Sequence, residues 1–451
     1  MKIKRMRYGR KRIFLGLFLF LVLLGLGVGF AFVTTKLSIE GVANVKEARW
    51  NIYFDNFEAI SGSVTPTAEP VVNNDTITFS AKVDEPGNFY GFTFDIVNAG
   101  TINAELADFS VTPDFSTINY IDSTIEYNNG NEISTGDLLI AGTSKKIKVL
   151  LSYKEGIDEN LYPTTDQSFN VTITIKYQQY IGDIPEANFA TDSWDIILDA
   201  YKGGSLTQLT EDMNNGTTRE VELDLDNDGE AETTAHLRIA NLSTPSECST
   251  TGFSQSACGF VLEFSDIITT HRMNPYVWPS TPTNNGDGNR GGWEYSDMRA
   301  FLNGKVYAYE NIDYTGKGII DALPTELSSK IIDTQVISGY GSDYSSNFIT
   351  TDRLYLLSPH EVWEEDTSDS QVGRDTSYNN TRQLDYYNLK GITVTNYSGA
   401  IKKNISDVDT SWWLRSSSSS YDSFYDVYES GVYRTYYASG NLGVSPAFRI
   451  G

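Results

Sequence analysis

The sequence predicts three parts in series: an N-terminal transmembrane helix, an all-β sandwich and an α+β head. Three observations carry that order. Ile13 to Val33 is a run of 21 uncharged residues behind Lys2, Lys4, Arg5, Arg7, Arg10, Lys11 and Arg12. From Trp50 to Gln178 apolar and polar side chains alternate, with turn signals between the runs. From Ser193 onward, helix-capping signals mix with short β-type runs and long loops rich in Pro, Gly and Ser.

The apolar run comes first. A helix rises about 1.5 Å per residue, so this length matches a hydrocarbon core of about 30 Å. Basic residues resist translocation, which keeps residues 1–12 cytoplasmic and sends the C-terminal part outside. The expectation is a single-pass protein of the cell membrane. A cleaved signal has an apolar region of about 7–15 residues, and the longer run favours an uncleaved anchor. Secretion after cleavage stays open, because Gly29-Phe30-Ala31 offers a small-x-small site.

Composition bounds the rest. Apolar content of 40% and aromatic content of 13% suffice for real cores. The net charge of −25 opposes contact with a phosphate backbone, so nucleic acid is excluded as a partner. The two cysteines, Cys248 and Cys258, lie close in sequence. Outside a cell they read as one local disulfide, with two free thiols as the alternative.

In the sandwich, Ile77, Phe79, Ala81 and Val83 interleave with Thr76, Thr78, Ser80 and Lys82. Tyr90, Phe92, Phe94 and Ile96 repeat the pattern, as do Phe169, Val171, Ile173, Ile175 and Tyr177. Period two buries one face of an antiparallel strand and wets the other. Pro86-Gly87-Asn88 and Asn98-Ala99-Gly100 supply turns. The sandwich spans residues 34–178. Residues 179–192, with Gly182 and Pro185, form a linker, and 193–451 form the head.

Asp224, Asp226 and Asp228 followed by Gly229 match the first half of a calcium loop, with Glu230 as a further ligand. The twelfth position is Ala235, where such a loop needs a bidentate Glu. Val221, Leu223 and Leu225 also alternate into Asn227-Asp228-Gly229, which makes a hairpin turn without any metal. Both readings stay open. Helices are expected at Ser296–Leu302, at Pro324–Ile332 and after the capping box Ser358-Pro359-His360-Glu361. Strands are expected at 354–357, 412–414, 424–428, 431–436 and 447–450. The run Ser416 to Ser420 reads as a flexible loop.

Two resemblances add to this reading. The basic start, the apolar run, Leu37-Ser38-Ile39-Glu40-Gly41, Trp50-Asn51-Ile52-Tyr53-Phe54 and Pro86-Gly87-Asn88-Phe89-Tyr90 look like the N-terminal modules of Gram-positive, Firmicutes-type surface proteins. More distantly, they are similar to camelysin and TasA-like sandwiches. Trp293 to Asn303, Leu354 to Val362, Trp412-Trp413-Leu414-Arg415-Ser416 and Gly443 to Ile450 resemble, in that order, the bacterial DUF6273 domain family. Trp293, Trp412, Trp413, Arg415, Pro446, Phe448 and Arg449 carry the likeness. That family is in turn similar to formylglycine-generating-enzyme and C-type-lectin-like folds, which implies an α+β head. The formylglycine-generating enzymes use a cysteine pair late in the domain. Both cysteines here precede Trp293, so that chemistry is not carried over.

No catalytic motif is found. His236, His271 and His360 form no close ligand pair, and no nucleophile elbow or phosphate-binding Gly loop occurs. The expected function is non-catalytic ligand binding or adhesion at a Gram-positive cell surface, with a glycan or protein as ligand. A structural matrix protein and a surface enzyme of unknown reaction are the alternatives. Recognition is expected on the loops Thr281–Gly292 and Ser416–Ser423, among the many aromatic residues of the head.

Overall fold

The computed structural model describes residues 48–451, apart from 67, 129, 166, 276–282, 342–343 and 365–374. The expected transmembrane helix, Ile13 to Val33, lies outside the described residues.

The fold class is corrected on two counts. Among the described residues, 48–451, no helix is long and apolar enough to cross a membrane. The chain is also mostly β, with 36% strand and 15% helix, where an α+β head was expected. The reason lies in how the helices end. A cap fixes where a helix starts but not how far it runs. Ser296 caps Asp297–Leu302 by accepting the Arg299 N–H at 3.1 Å, and Asn303-Gly304 stops the helix after six residues. The other two expected helices shrink to Thr325–Ser328 and Pro359–Val362. Two longer ones, Trp194–Gly203 and Thr207–Asn215, stop at Gly204 and Gly216, both left-handed.

The sandwich comprises β1 (Ile52–Ala59), β2 (Ala68–Asn73), β3 (Thr76–Ala81), β4 (Phe89–Asn98), β5 (Ala104–Thr112), β6 (Ile121–Tyr127), β7 (Leu138–Leu139), β8 (Ser144–Tyr153) and β9 (Phe169–Gln179). One sheet runs β1-β4-β8-β6 and the other β2-β3-β9-β5-β7. Registers such as Phe94 opposite Ile147 and Ile77 opposite Ile173 put the alternating apolar set inward. Phe79 of one sheet meets Phe92 of the other edge-to-face at 5.1 Å, so aromatic rings join the layers.

The head is built on two sheets. One orders Thr218–Leu223, Thr233–Asn241, Val261–Phe264 and Ala447–Arg449. The other orders Thr269–His271, Leu442–Val444, Trp412–Ser417, Ser423–Val427 and Tyr433–Tyr437. The final strands therefore pair with segments from the start of the head. Residues 354–357 hold a single bridge, Tyr355 to Ala447, where a strand was expected. The serine run departs from expectation as well: Ser416 and Ser417 belong to a strand and Ser416, Ser417 and Ser418 are buried.

The sandwich and the head have separate hydrophobic cores. Ala187 and Phe189, inside the expected linker, are buried in the core of the head. An apolar pair in a Pro-containing stretch carries no periodicity, and the sequence gives no sign of that docking.

Candidate functional site

The family-signature residues are mostly core. Trp293, Trp412, Trp413, Phe448 and Arg415 are fully buried. Arg415 donates two hydrogen bonds to the Glu361 carboxylate, to Oε1 at 2.6 Å and to Oε2 at 2.5 Å. It also donates to the carbonyls of Ile337 (3.0 Å) and Leu356 (2.8 Å). Burial pushes the Glu361 pKa up, but the Arg415 charge together with the hydrogen bonds from Arg415, Ser256 and Ser358 holds the carboxyl below its usual range. Glu361 reaches back to the Ser358 N–H at 2.9 Å, so one side chain both closes a capping box and neutralises a core arginine. Trp293 donates its indole N–H to Asp352 at 2.9 Å, and Arg299 grips the same carboxylate at 2.7 Å. The backbone N–H of Phe264 bonds the Pro446 carbonyl, and Arg449 sits on the strand opposite Val261. These residues hold the head together.

The acidic loop at the hairpin between Thr218–Leu223 and Thr233–Asn241 does converge. One carboxylate oxygen each from Asp224, Asp226, Asp228 and Glu232 lies within 4.8 Å of the others. Glu230 is not in that group, and its place is taken by Glu232. Asp224 accepts the N–H groups of Asp228 and Gly229 at 3.0 and 2.8 Å, and Glu232 accepts that of Leu225 at 2.7 Å. The left-handed Asn227 and Gly229 (φ 59° and 100°) turn the chain tightly enough for this. Four carboxylate oxygens this close repel one another, and the all-oxygen donor set suits a hard cation such as calcium. Ala235 is buried in the core and supplies no ligand.

Cys248 and Cys258 form a disulfide, with Cα atoms 5.9 Å apart. Together with Phe253 they make a small buried cluster of their own.

The histidines are scattered. His236 Nδ1 lies 2.6 Å from Asp266, and the His360 ring packs 4.2 Å from Tyr378. His271 stacks on Phe301 at 4.2 Å, with Nε2 3.4 Å from the buried Asp297. Arg272 and Tyr314 bind the same Asp297 carboxylate at 2.8 and 2.9 Å. Burial raises the Asp297 pKa, but His271 and Arg272 outweigh that effect and hold it below the usual range.

The two expected recognition loops are tied to each other. The buried Asn289 side chain donates to the carbonyls of Ser418 (3.1 Å) and Ser423 (2.9 Å), and the Asn289 backbone N–H donates to the Tyr421 carbonyl at 3.1 Å. Ser420 O is a further partner. Around this junction the rings of Tyr295, Tyr309 and Tyr421 stand exposed, and Tyr436 and Tyr437 are exposed on the neighbouring strand. Of the other aromatic residues of the head, Trp363 and Tyr425 are buried, and Tyr428 and Tyr433 are half-buried. Sequence reasoning missed Asn289 and the Arg415–Glu361 pair, and of the two available glutamates, Glu230 and Glu232, it took Glu230 as the ligand where the structure brings in Glu232. An Asn in a Gly-rich run reads only as a turn, and nothing local marks its distant partners.

Residues 266–451 match the family described as "Domain of unknown function (DUF6273)". That match supports the domain family in the C-terminal half of the chain. It begins at Asp266 and leaves the acidic loop and the disulfide outside the DUF6273 region. No curated protein and no solved structure matches the chain.

Proposed function

We propose that this chain is a non-catalytic recognition protein working outside the cytoplasm. It binds a glycan or protein ligand through the face where residues 283–292 meet residues 418–423. The observation that carries the reading is the junction itself. Asn289 fixes two loops from opposite ends of the DUF6273 region into one rigid surface bearing exposed tyrosines. Aromatic rings on preorganised loops are a common recognition device, because little side-chain entropy is lost on binding. The disulfide supports an oxidising compartment. The likeness of residues 10–178 to Gram-positive surface modules supports a place at a bacterial surface, with the sandwich as spacer.

The test is retention of the full chain on immobilised polysaccharides, fibrillar collagen and fibrinogen. At least one surface is expected to retain it, and Tyr421→Ala or Asn289→Ala is expected to abolish retention. A blank panel, or retention indifferent to both changes, would refute the reading.

Calcium in the loop of Asp224, Asp226, Asp228 and Glu232 belongs to the same proposal, as a brace for the hairpin at the start of the head. Titration calorimetry with calcium chloride is expected to give heat for the wild type and none for Asp226→Ala. Equal heats, or none in either, remove calcium from the reading.

A further inference from the structure

The sandwich holds a cavity that a spacer has no need of. Its volume is about 180 Å³, and it sits at the end of the sandwich where β8 stops and β6 and β9 begin. The buried Ile121 and Phe169 give it an apolar floor. The half-buried Tyr120 and Tyr153 form its walls. Their rings meet edge-to-face at 6.1 Å, and the Tyr120 ring lies 6.4 Å from that of Phe169. Two backbone links hold these tyrosines in place. Ile121 pairs with Tyr153 across β6 and β8, and the Lys154 N–H donates to the Tyr120 carbonyl at 3.0 Å. The mouth is polar. Asp84, Thr164 and Thr165 are exposed there, and Gln167 donates to the Thr165 carbonyl and hydroxyl, both at 3.1 Å. The exposed rim leaves the cavity open to solvent on one side.

We propose that this cavity binds a single neutral sugar ring, packed against Tyr120 and Tyr153 and hydrogen-bonded at the mouth by Thr164, Thr165 and Gln167. Size comes first. A cavity of about 150 Å³ accepts a benzene-sized ring, so 180 Å³ holds one six-membered ring and little more. Chemistry comes second. A wholly apolar side chain would strip water from the hydroxyls and the amide at the mouth and return no hydrogen bonds. A pyranose has an apolar C–H face for the rings and hydroxyls for the polar rim. Charge comes third. Asp84, the carboxylate at the mouth, is paired with Lys82 at 2.8 Å, which leaves it little pull on an ionised ligand. Loops at the end of a β-sandwich are also a common place for recognition. The cavity lies outside residues 266–451, so the proposal is independent of the recognition face on the head.

The experiment is saturation-transfer NMR titration of the full chain with glucose, galactose, mannose and N-acetylglucosamine, each free and at the non-reducing end of a trisaccharide. At least one of these sugars is expected to bind. Tighter binding of the trisaccharide assigns a glycan end as the ligand, and equal or weaker binding assigns the free sugar; both support the cavity. Thr164→Trp places a bulky group at an exposed rim position, and it should abolish binding while leaving the melting temperature unchanged. Gln167→Ala should weaken binding by about threefold or more, the loss of one hydrogen bond. Glucuronate should bind no better than the neutral sugars, and a preference for it overturns the proposal. So does silence from every sugar, or binding indifferent to Thr164→Trp. A signal that Tyr421→Ala removes and Thr164→Trp leaves belongs to the head, which overturns the cavity and keeps the recognition reading. A signal lost in Thr164→Trp and kept in Tyr421→Ala supports the cavity whatever becomes of the head.

Discussion

The Arg415–Glu361 pair is the most consequential pair of side chains in the head. Both are 0% exposed and each satisfies the other. Removing one partner leaves an uncompensated buried charge, at a cost of about 3–5 kcal/mol. Glu361→Gln and Arg415→Met are each expected to lower the unfolding free energy from urea titration by that amount, and a change under about 1 kcal/mol would contradict the assignment. The pH sign follows from the depressed carboxyl. Its contribution is fully present above the unfolded value, about 4.3, and is lost as pH falls through the lower folded one. Glu361→Gln should therefore be less acid-sensitive than the wild type. At this scale the sequence was half legible. Arg415 was readable as part of a family pattern and Glu361 as a cap, but their contact spans 54 positions and no local pattern links them.

Strands were easier to read than helices. Alternation in β3, β4 and β9 survives almost residue for residue, because burial of one face is a local demand of the pleat. The helices of the head depend on where tertiary packing lets them stop, and their lengths were not legible. The Ser416–Ser420 run shows the same limit, since serine composition suggests a loop while Asn289 and Asp375 draw it into the interior, Ser416 bonding Asp375 at 3.0 Å. Tyrosines buried along these strands and loops make an alkaline prediction. Burial, aided by Glu69, raises Tyr90 to about 12. Burial also lifts Tyr307, Tyr355 and Tyr387 above their ordinary value, with added push from Asp297, Glu361 and Glu263 respectively. In the unfolded chain all four lose their protons near pH 10. Above that pH the unfolded state binds fewer protons than the folded one, so stability falls as pH rises. Absorbance at 295 nm should show these groups ionising together with loss of ellipticity. Smooth ionisation near pH 10 with the fold intact would show that they are not buried in solution.

Residues 49–451 cohere as one unit by contact, but two cores lie inside it. What joins them includes Lys145 of β8 reaching Asp199 of the Trp194–Gly203 helix at 3.4 Å, with both side chains mostly covered. One ion pair of this kind is weak glue beside two apolar cores, because desolvation offsets much of its attraction. Burial pushes the Asp199 pKa up despite Lys145, in line with a pair that is only partly compensated. The two halves should therefore melt separately. The disulfide supplies a way to tell them apart, since Cys248 and Cys258 belong to the head. Opening that short loop costs about 2–3 kcal/mol, which for a unit of this size is roughly 5–10 °C. Calorimetry with dithiothreitol should move one transition down by that amount and leave the other in place. Lys145→Ala should move neither by more than about 2 °C. A single transition that shifts as a whole on reduction would mean that the interface around Asp199 binds the two cores into one cooperative body, and that the sandwich stiffens the head rather than merely carrying it.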